Sequence, residues 1–105
     1  MSTLEIDMDR DKLLDSLHRN SARIKSLGVK RLGLFGSFLR NTATIESDVD
    51  LLVEFERGKK SFDNFMDLGI YLEELLNRKV ELVTPQSLSK HIGPHILNQV
   101  QDVKL

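Results

Sequence analysis

The chain has no cysteine, no tryptophan and only two prolines among its 105 residues. Without thiols there are no disulfides and no cysteine-bound zinc, so packing alone must hold the core. A chain of this length buries roughly 65% of its extended-chain surface on folding, which makes that feasible. Neither sign of charge is in excess, since 15 Lys and Arg stand against 16 Asp and Glu for a formal net charge of −1. Such a balance leaves no field with which to coat a phosphate backbone nonspecifically, so stable DNA binding is not expected. No apolar run reaches the length of a bilayer crossing, and Met1-Ser2-Thr3-Leu4-Glu5-Ile6-Asp7 is acidic where a secretory leader is basic. The expectation is one soluble cytoplasmic domain over residues 1–105, with the lack of cysteine suiting a reducing compartment.

The apolar residues present fall into readable periods. Leu13, Leu14, Leu17, Ile24 and Leu27 recur at helical spacing and predict a helix between Asp9 and Gly28, with Asp9 or Asp11 capping its start. Lys30 to Phe35 reads as a first strand that stops at Gly36, and Val49 to Phe55 as a second. Ser37 to Asn41 has room for a turn or two of helix. The eleven residues between Gly36 and Asp48 are too few for a comfortable parallel crossover, so these strands are expected to be antiparallel. After the polar turn Arg57-Gly58-Lys59-Lys60, Phe62, Phe65, Met66, Leu68, Tyr71, Leu72, Leu75 and Leu76 mark an amphipathic helix to about Asn77. A third strand, Lys79 to Val83, follows, and the intervening helix is long enough for a right-handed crossover between parallel strands. Ser87 to Val100 reads as short helical pieces interrupted by Gly93-Pro94. The fold class is α/β (α+β), a small mixed sheet packed with helices.

Chemistry concentrates in one place: Gly36-Ser37, ten residues, then Asp48-Val49-Asp50. A residue without Cβ at a strand end lets a ligand approach the backbone, and the free N–H groups of a helix start suit a phosphate. Ser37 adds a hydroxyl and Arg40 a guanidinium one turn on. Taken alone, Gly-Ser is a common turn. Asp48 and Asp50 are two apart on a strand, so they share a face with Cα atoms about 6.6 Å apart. Carboxylates about 5 Å apart at an effective dielectric near 20 repel by roughly 3 kcal/mol, which calls for a cation, and Mg2+ with its preference for hard oxygen suits them. An Asp-x-Asp by itself is more often a solvated strand entrance. The four residues at these offsets arise by accident about once in a thousand chains of this length. Glu81, in Lys79-Val80-Glu81-Leu82-Val83, is the candidate third acid of a two-metal site. The pattern fits equally an edge strand on which Glu81 faces water.

Other residues carry weaker signals. His91 and His95 have zinc spacing, but Gly93-Pro94 between them breaks the helix that would align them, and a surface role is favoured. His18 beside Arg19 reads as solvent-facing. Arg57, Lys59 and Lys60 read first as a solvated turn, with a nucleotide or acidic partner as the less frequent alternative. Phe62, Phe65 and Tyr71 at helical spacing read as core.

Leu34-Phe35-Gly36-Ser37-Phe38-Leu39-Arg40, Ser47-Asp48-Val49-Asp50-Leu51-Leu52-Val53 and Lys79-Val80-Glu81-Leu82-Val83-Thr84-Pro85 resemble the minimal nucleotidyltransferase (MNT) domains of the DNA polymerase β superfamily. The match runs from about Leu13 to Leu97. The Gly-Ser, ten residues, Asp-x-Asp motif is specific to the superfamily, and Arg40 with Val83-Thr84-Pro85 points to its small prokaryotic branch. The resemblance implies a polymerase β-like fold in which Gly36 and Ser37, with Arg40, hold nucleotide phosphates. It implies that Asp48, Asp50 and Glu81 are the catalytic acids and hold Mg2+, two ions in all. Many relatives have Asp at the last position, so the longer Glu81 bears on metal placement. Such domains are commonly antitoxins of HEPN/MNT modules. The resemblance therefore implies an ATP- and Mg2+-dependent protein adenylyltransferase that moves AMP to a tyrosine of a HEPN toxin partner, in a hetero-oligomer. Two alternatives remain open: an antitoxin that inhibits by contact alone, and a nucleotidyltransferase acting on a small molecule or an RNA end. Inhibition that survives Asp50→Asn marks the first. The second is disfavoured by a chain too short for a separate acceptor-binding domain.

Overall fold

The computed structural model describes residues 8–88 and 93–105. It begins with α1 (Arg10–Arg19) and α2 (Ser21–Ser26), where the sequence predicts a single helix. Asp9 caps the start, its Oδ1 accepting from the Lys12 N–H at 2.9 Å. The break comes at Asn20, whose side-chain amide donates back to the Ser16 carbonyl at 2.8 Å. Asn readily offers such local bonds in place of helix continuation. The break leaves the apolar period intact, for Leu13, Leu17 and Ile24 are all fully buried.

β1 (Val29–Phe35) and β2 (Val49–Phe55) pair antiparallel, as predicted, with Phe35 opposite Asp50 and Leu34 opposite Leu51. α3 (Phe62–Leu76) starts at Ser61, whose hydroxyl accepts from the Asn64 N–H at 3.1 Å, and stops at Asn77 in the left-handed region. β3 (Val80–Val83) then lies parallel to β2, completing the predicted crossover. A short 3-10 turn (Pro85–Ser87) precedes α4 (Gly93–Gln99). Gly93-Pro94 opens that helix, where proline's missing N–H is no loss in a first turn; the helical reading of residues 89–92 before it lies outside the described residues. The apolar periods of the sequence contain no hint of β4 (Gln101–Asp102), which pairs antiparallel with β1 at Leu34 and Gly33. The sheet order is β3-β2-β1-β4.

Alternation along the strands divides the sheet into two unlike faces. Leu32, Leu34, Val49, Leu51 and Val53 face the helices and join Leu13, Leu17, Leu68, Leu72 and Leu76 in one core. Each fully buried leucine there stabilises by about 1.5–3 kcal/mol relative to exposure. Phe62 departs from the predicted core: at the first turn of α3 it is 77% exposed, while Phe65 and Tyr71 are half-buried against the cluster. The opposite face carries Arg31, whose guanidinium bridges Glu54 at 3.0 Å and Asp102 at 2.7 Å, and further along it carries Asp50. Gly33 on this face leaves the space that the Val100 side chain fills. No helix among the described residues is long and apolar enough to cross a membrane.

Candidate active site

β1 delivers Gly36 at a φ of +78°, a conformation that L side chains rarely adopt. The chain then doubles back: the Arg40 N–H donates to the Gly36 carbonyl at 3.2 Å and the Thr42 N–H to the Ser37 carbonyl at 2.9 Å. This is a run of turns rather than the predicted short helix, with Asn41 left-handed at a φ of 56°. Phe38 anchors the run in the core at 1% exposure, leaving Ser37 half-buried and Arg40 exposed. From α1, the Arg10 guanidinium donates to the Leu39 carbonyl at 3.1 Å. Further on, the Ser47 hydroxyl accepts from the Thr44 N–H at 2.8 Å and closes a second turn just before Asp48.

Asp50 is where the strands bring the acids together. It sits opposite Phe35 on β1 and opposite Glu81 on β3, so Asp50 and Glu81 are side-by-side neighbours on one face of a parallel pair. A Cβ on Gly36 would overlap the Asp50 carboxylate, so the absence of a side chain at Gly36 makes room for that acid. The Asp50 carboxyl is pushed up to about 6, first by partial burial, then by the negative charge of Glu81, by a hydrogen bond with the Glu81 carboxyl, and by the charge of Asp48; Arg40 pulls the other way. Glu81, Asp48 and Arg40 are thus near enough for their charges to act on Asp50, which itself lies against Gly36.

The edge-strand reading of Glu81 holds. β3 is an edge strand and Glu81 is exposed, yet its register puts it against Asp50. The donor set is all oxygen, the preference of a hard divalent cation. Among the described residues, no trio of His, Cys, Asp or Glu is gathered closely enough to hold a metal ion as it stands.

The residues set aside lie elsewhere. Arg57, Lys59 and Lys60 are exposed beyond the far end of β2, a strand length of about 20 Å from Asp50. His95 is exposed, His18 meets the Lys104 carbonyl through Nδ1 at 2.8 Å, and His91 lies outside the described residues. Sequence reasoning missed Arg10 and Arg78, both of which touch the connection between Gly36 and Asp48. Nothing local distinguishes them from other surface arginines, because their partners are backbone carbonyls distant in sequence.

The Gly36-Ser37 turn at the end of β1 thus lies beside Asp48-Val49-Asp50 at the start of its antiparallel neighbour, with Glu81 opposite Asp50 on the next strand. The chain belongs to the nucleotidyltransferase domain family, whose model matches residues 11–104. It is similar to protein adenylyltransferase MntA of Thermococcus cleftensis, with 41% identity over 83 residues, 79% of this chain and 82% of that protein. A solved structure provisionally described as a minimal nucleotidyltransferase superposes with a TM-score of 0.79 at 29% identity, covering 92% of this chain and 98% of the other. The fold also matches that of a complex of a tri-AMPylated Shewanella oneidensis HEPN toxin with its MNT antitoxin, at a TM-score of 0.60 and 17% identity over 86% of this chain and 71% of the other.

Proposed function

We propose that this protein is a Mg2+-dependent protein adenylyltransferase that moves AMP from ATP to a tyrosine hydroxyl of a HEPN-domain ribonuclease, and so serves as its antitoxin. The observation that carries the reading is the register that sets Asp50 against both Gly36 and Glu81, with Asp48 two residues before it. Support for the acceptor class comes from the adenylyltransferase name of the Thermococcus relative and from the AMPylated toxin in the Shewanella complex.

The residues suit this chemistry. Gly36 leaves the backbone open to a phosphate, the Ser37 hydroxyl can donate to its oxygens, and exposed Arg40 supplies a cation beside them. Asp48, Asp50 and Glu81 supply hard oxygen donors, and burial followed by the charges of Glu81 and Asp48 raises the pKa of Asp50. In donor chemistry they suit Mg2+, and these are the residues that would hold it. Bound there, Mg2+ would offset their charge, acidify the acceptor hydroxyl and hold triphosphate oxygens. In the transfer, the tyrosine oxygen bonds to the α-phosphorus, the bond from that phosphorus to the bridging oxygen breaks, and pyrophosphate leaves while the hydroxyl proton passes to solvent. The protein would orient these atoms in line, with Gly36, Ser37 and Arg40 steadying the leaving phosphates.

The test is the intact mass of the HEPN-domain partner after incubation with this protein, ATP and Mg2+, beside an Asp48→Asn/Asp50→Asn control. A gain of one or more AMP units, absent from the control, is expected. A partner that is neutralised with its mass unchanged would replace catalysis with inhibition by contact.

A further inference from the structure

We infer that Arg78 is a positioning residue for this site, a clamp that ties the Gly36-Ser37 turn to the segment delivering Asp48. Its importance for catalysis rests on the adenylyl-transfer reading, whereas its geometry stands apart from it. Arg78 follows Asn77, whose φ of 51° ends α3. Its guanidinium lies over the Phe38 ring, 5.2 Å from the centroid. The same group donates to the Ile45 carbonyl at 3.3 Å and to the Ser47 carbonyl at 3.4 Å.

These partners sit at the two ends of one connection. Phe38 is the residue after Ser37, and Ser47 is the residue before Asp48. One side chain from a third segment therefore touches both the phosphate turn and the acid-bearing arm. A planar guanidinium is suited to this, since its face can stack on a ring while its edge donates to two carbonyls. A lysine ammonium is a point charge without a stacking face, and it cannot reproduce both contacts. Arg78 also differs in role from Arg40. Arg40 is the cation that acts on the Asp50 carboxyl, while the contacts of Arg78 are with an aromatic ring and backbone oxygens. Arg78 thus acts through where the loop sits.

Arg10 holds the same connection from the other side, at the Leu39 carbonyl. Between Leu39 and Ile45 the connection is further held by the Arg10 N–H to the Asn41 side chain and by Ala43 against the core, so losing the Arg78 clamp frees chiefly the stretch from Ile45 into Asp48. A displacement of about 1 Å at a reacting group can cost about 100-fold in rate.

The experiment compares the full chain with its Arg78→Lys and Arg78→Ala variants in three measurements. Amide hydrogen exchange by mass spectrometry should show faster exchange in peptides spanning residues 37–49 in both variants, with protection in β1 and β2 retained. Titration with Mg2+ alone should show affinity about tenfold weaker in both. AMP transfer should fall about 10- to 100-fold, chiefly in kcat, with partial recovery of Arg78→Ala by millimolar guanidinium ion. Wild-type exchange in residues 37–49 of both variants would overturn the inference. So would a loosened loop with unchanged Mg2+ affinity and transfer. Should Arg78→Ala lose protection throughout the sheet, Arg78→Lys decides alone: wild-type behaviour overturns the clamp, and loosening confined to residues 37–49 upholds it. A wild-type protein that transfers no AMP would sink the adenylyl-transfer reading, and the exchange measurement would still decide for or against Arg78.

Discussion

Two glycines bracket β1 with nearly the same backbone, Gly28 at a φ of +89° and Gly36 at +78°. What occupies the space beside them differs. At Gly28 a Cβ would stand 2.7 Å from the Lys59 Cβ, and the Gly28 carbonyl accepts from the Glu56 N–H at 2.8 Å. Hydrocarbon and a backbone bond close that end of the sheet. At Gly36 the corresponding space holds the Asp50 carboxylate, which crowds against Glu81. A left-handed glycine by itself marks only a turn; an acid held in the room it leaves marks chemistry. The packed end contributes stability, and the acidic end, where Asp50 crowds Glu81, gives some of it up.

The sharpest break of this comparison is Asp50→Asn. AMP transfer should fall on the order of a hundredfold or more, while the melting temperature stays level or rises because a crowded charge is gone. A clear loss of stability alongside the loss of activity would mean that Asp50 is a structural acid. Next comes the pair Gly28→Ala and Gly36→Ala. Each should destabilise by about 1–3 kcal/mol in urea unfolding, the scale of backbone strain for a side chain at positive φ. Only Gly36→Ala should also abolish transfer per folded molecule, by displacing Asp50. Equal activity losses in the two would erase the distinction between the ends.

The smallest effect is in pH. Folded Asp50 holds its proton to about 6, whereas the unfolded chain releases it near 3.8. Between these values the folded state binds more protons, so the contribution of Asp50 is fully present below the window and is lost as pH rises through it. The carboxyl is only partly buried, so solvent screening reduces the difference to about 1 kcal/mol. Unfolding free energies measured from pH 4 to pH 7 should therefore show Asp50→Asn gaining on the wild type as pH rises. A constant gap would remove the electrostatic strain assigned to this end.

Much of the fold was legible because its signals are local. The apolar runs ending at Gly36 and Phe55 gave two strands in their correct antiparallel sense, and the period from Phe65 to Leu76 gave the crossover helix. The spacing of Gly36, Ser37, Asp48 and Asp50 marked a turn and a strand start that the fold sets side by side, because strand alternation and a glycine turn are written in adjacent residues. Register is different in kind. That Glu81 stands opposite Asp50 depends on how β3 slides along β2, and the sequence left the edge-strand and third-acid readings equally open. β4 is two polar residues with no apolar period, so its pairing with β1 had no signature. The helix break at Asn20 comes from a side chain capping its own preceding turn, which leaves the hydrophobic spacing undisturbed. Phe62 belongs to the α3 period but falls in its first turn, at a position the core does not reach. Arg78 escaped notice because its partners, Phe38, Ile45 and Ser47, lie more than thirty residues earlier.

β4 has a consequence for how copies of the protein behave in solution. With Gln101 and Asp102 paired to Leu34 and Gly33, and the Val103 N–H donating to the Leu32 carbonyl at 2.8 Å, the outer rim of β1 is shielded through its most apolar stretch. The opposite rim, β3, is only four residues long, carries Glu81, and has its Val80 N–H taken by the Glu73 carboxylate at 2.9 Å. Short length, charge and occupied donors are how natural sheets avoid recruiting strands from their neighbours. Stripping the residues after Val100 would leave β1 as an open apolar template, and the damage would surface as aggregation at high concentration, a colloidal failure with Asp48, Asp50 and Glu81 still in place.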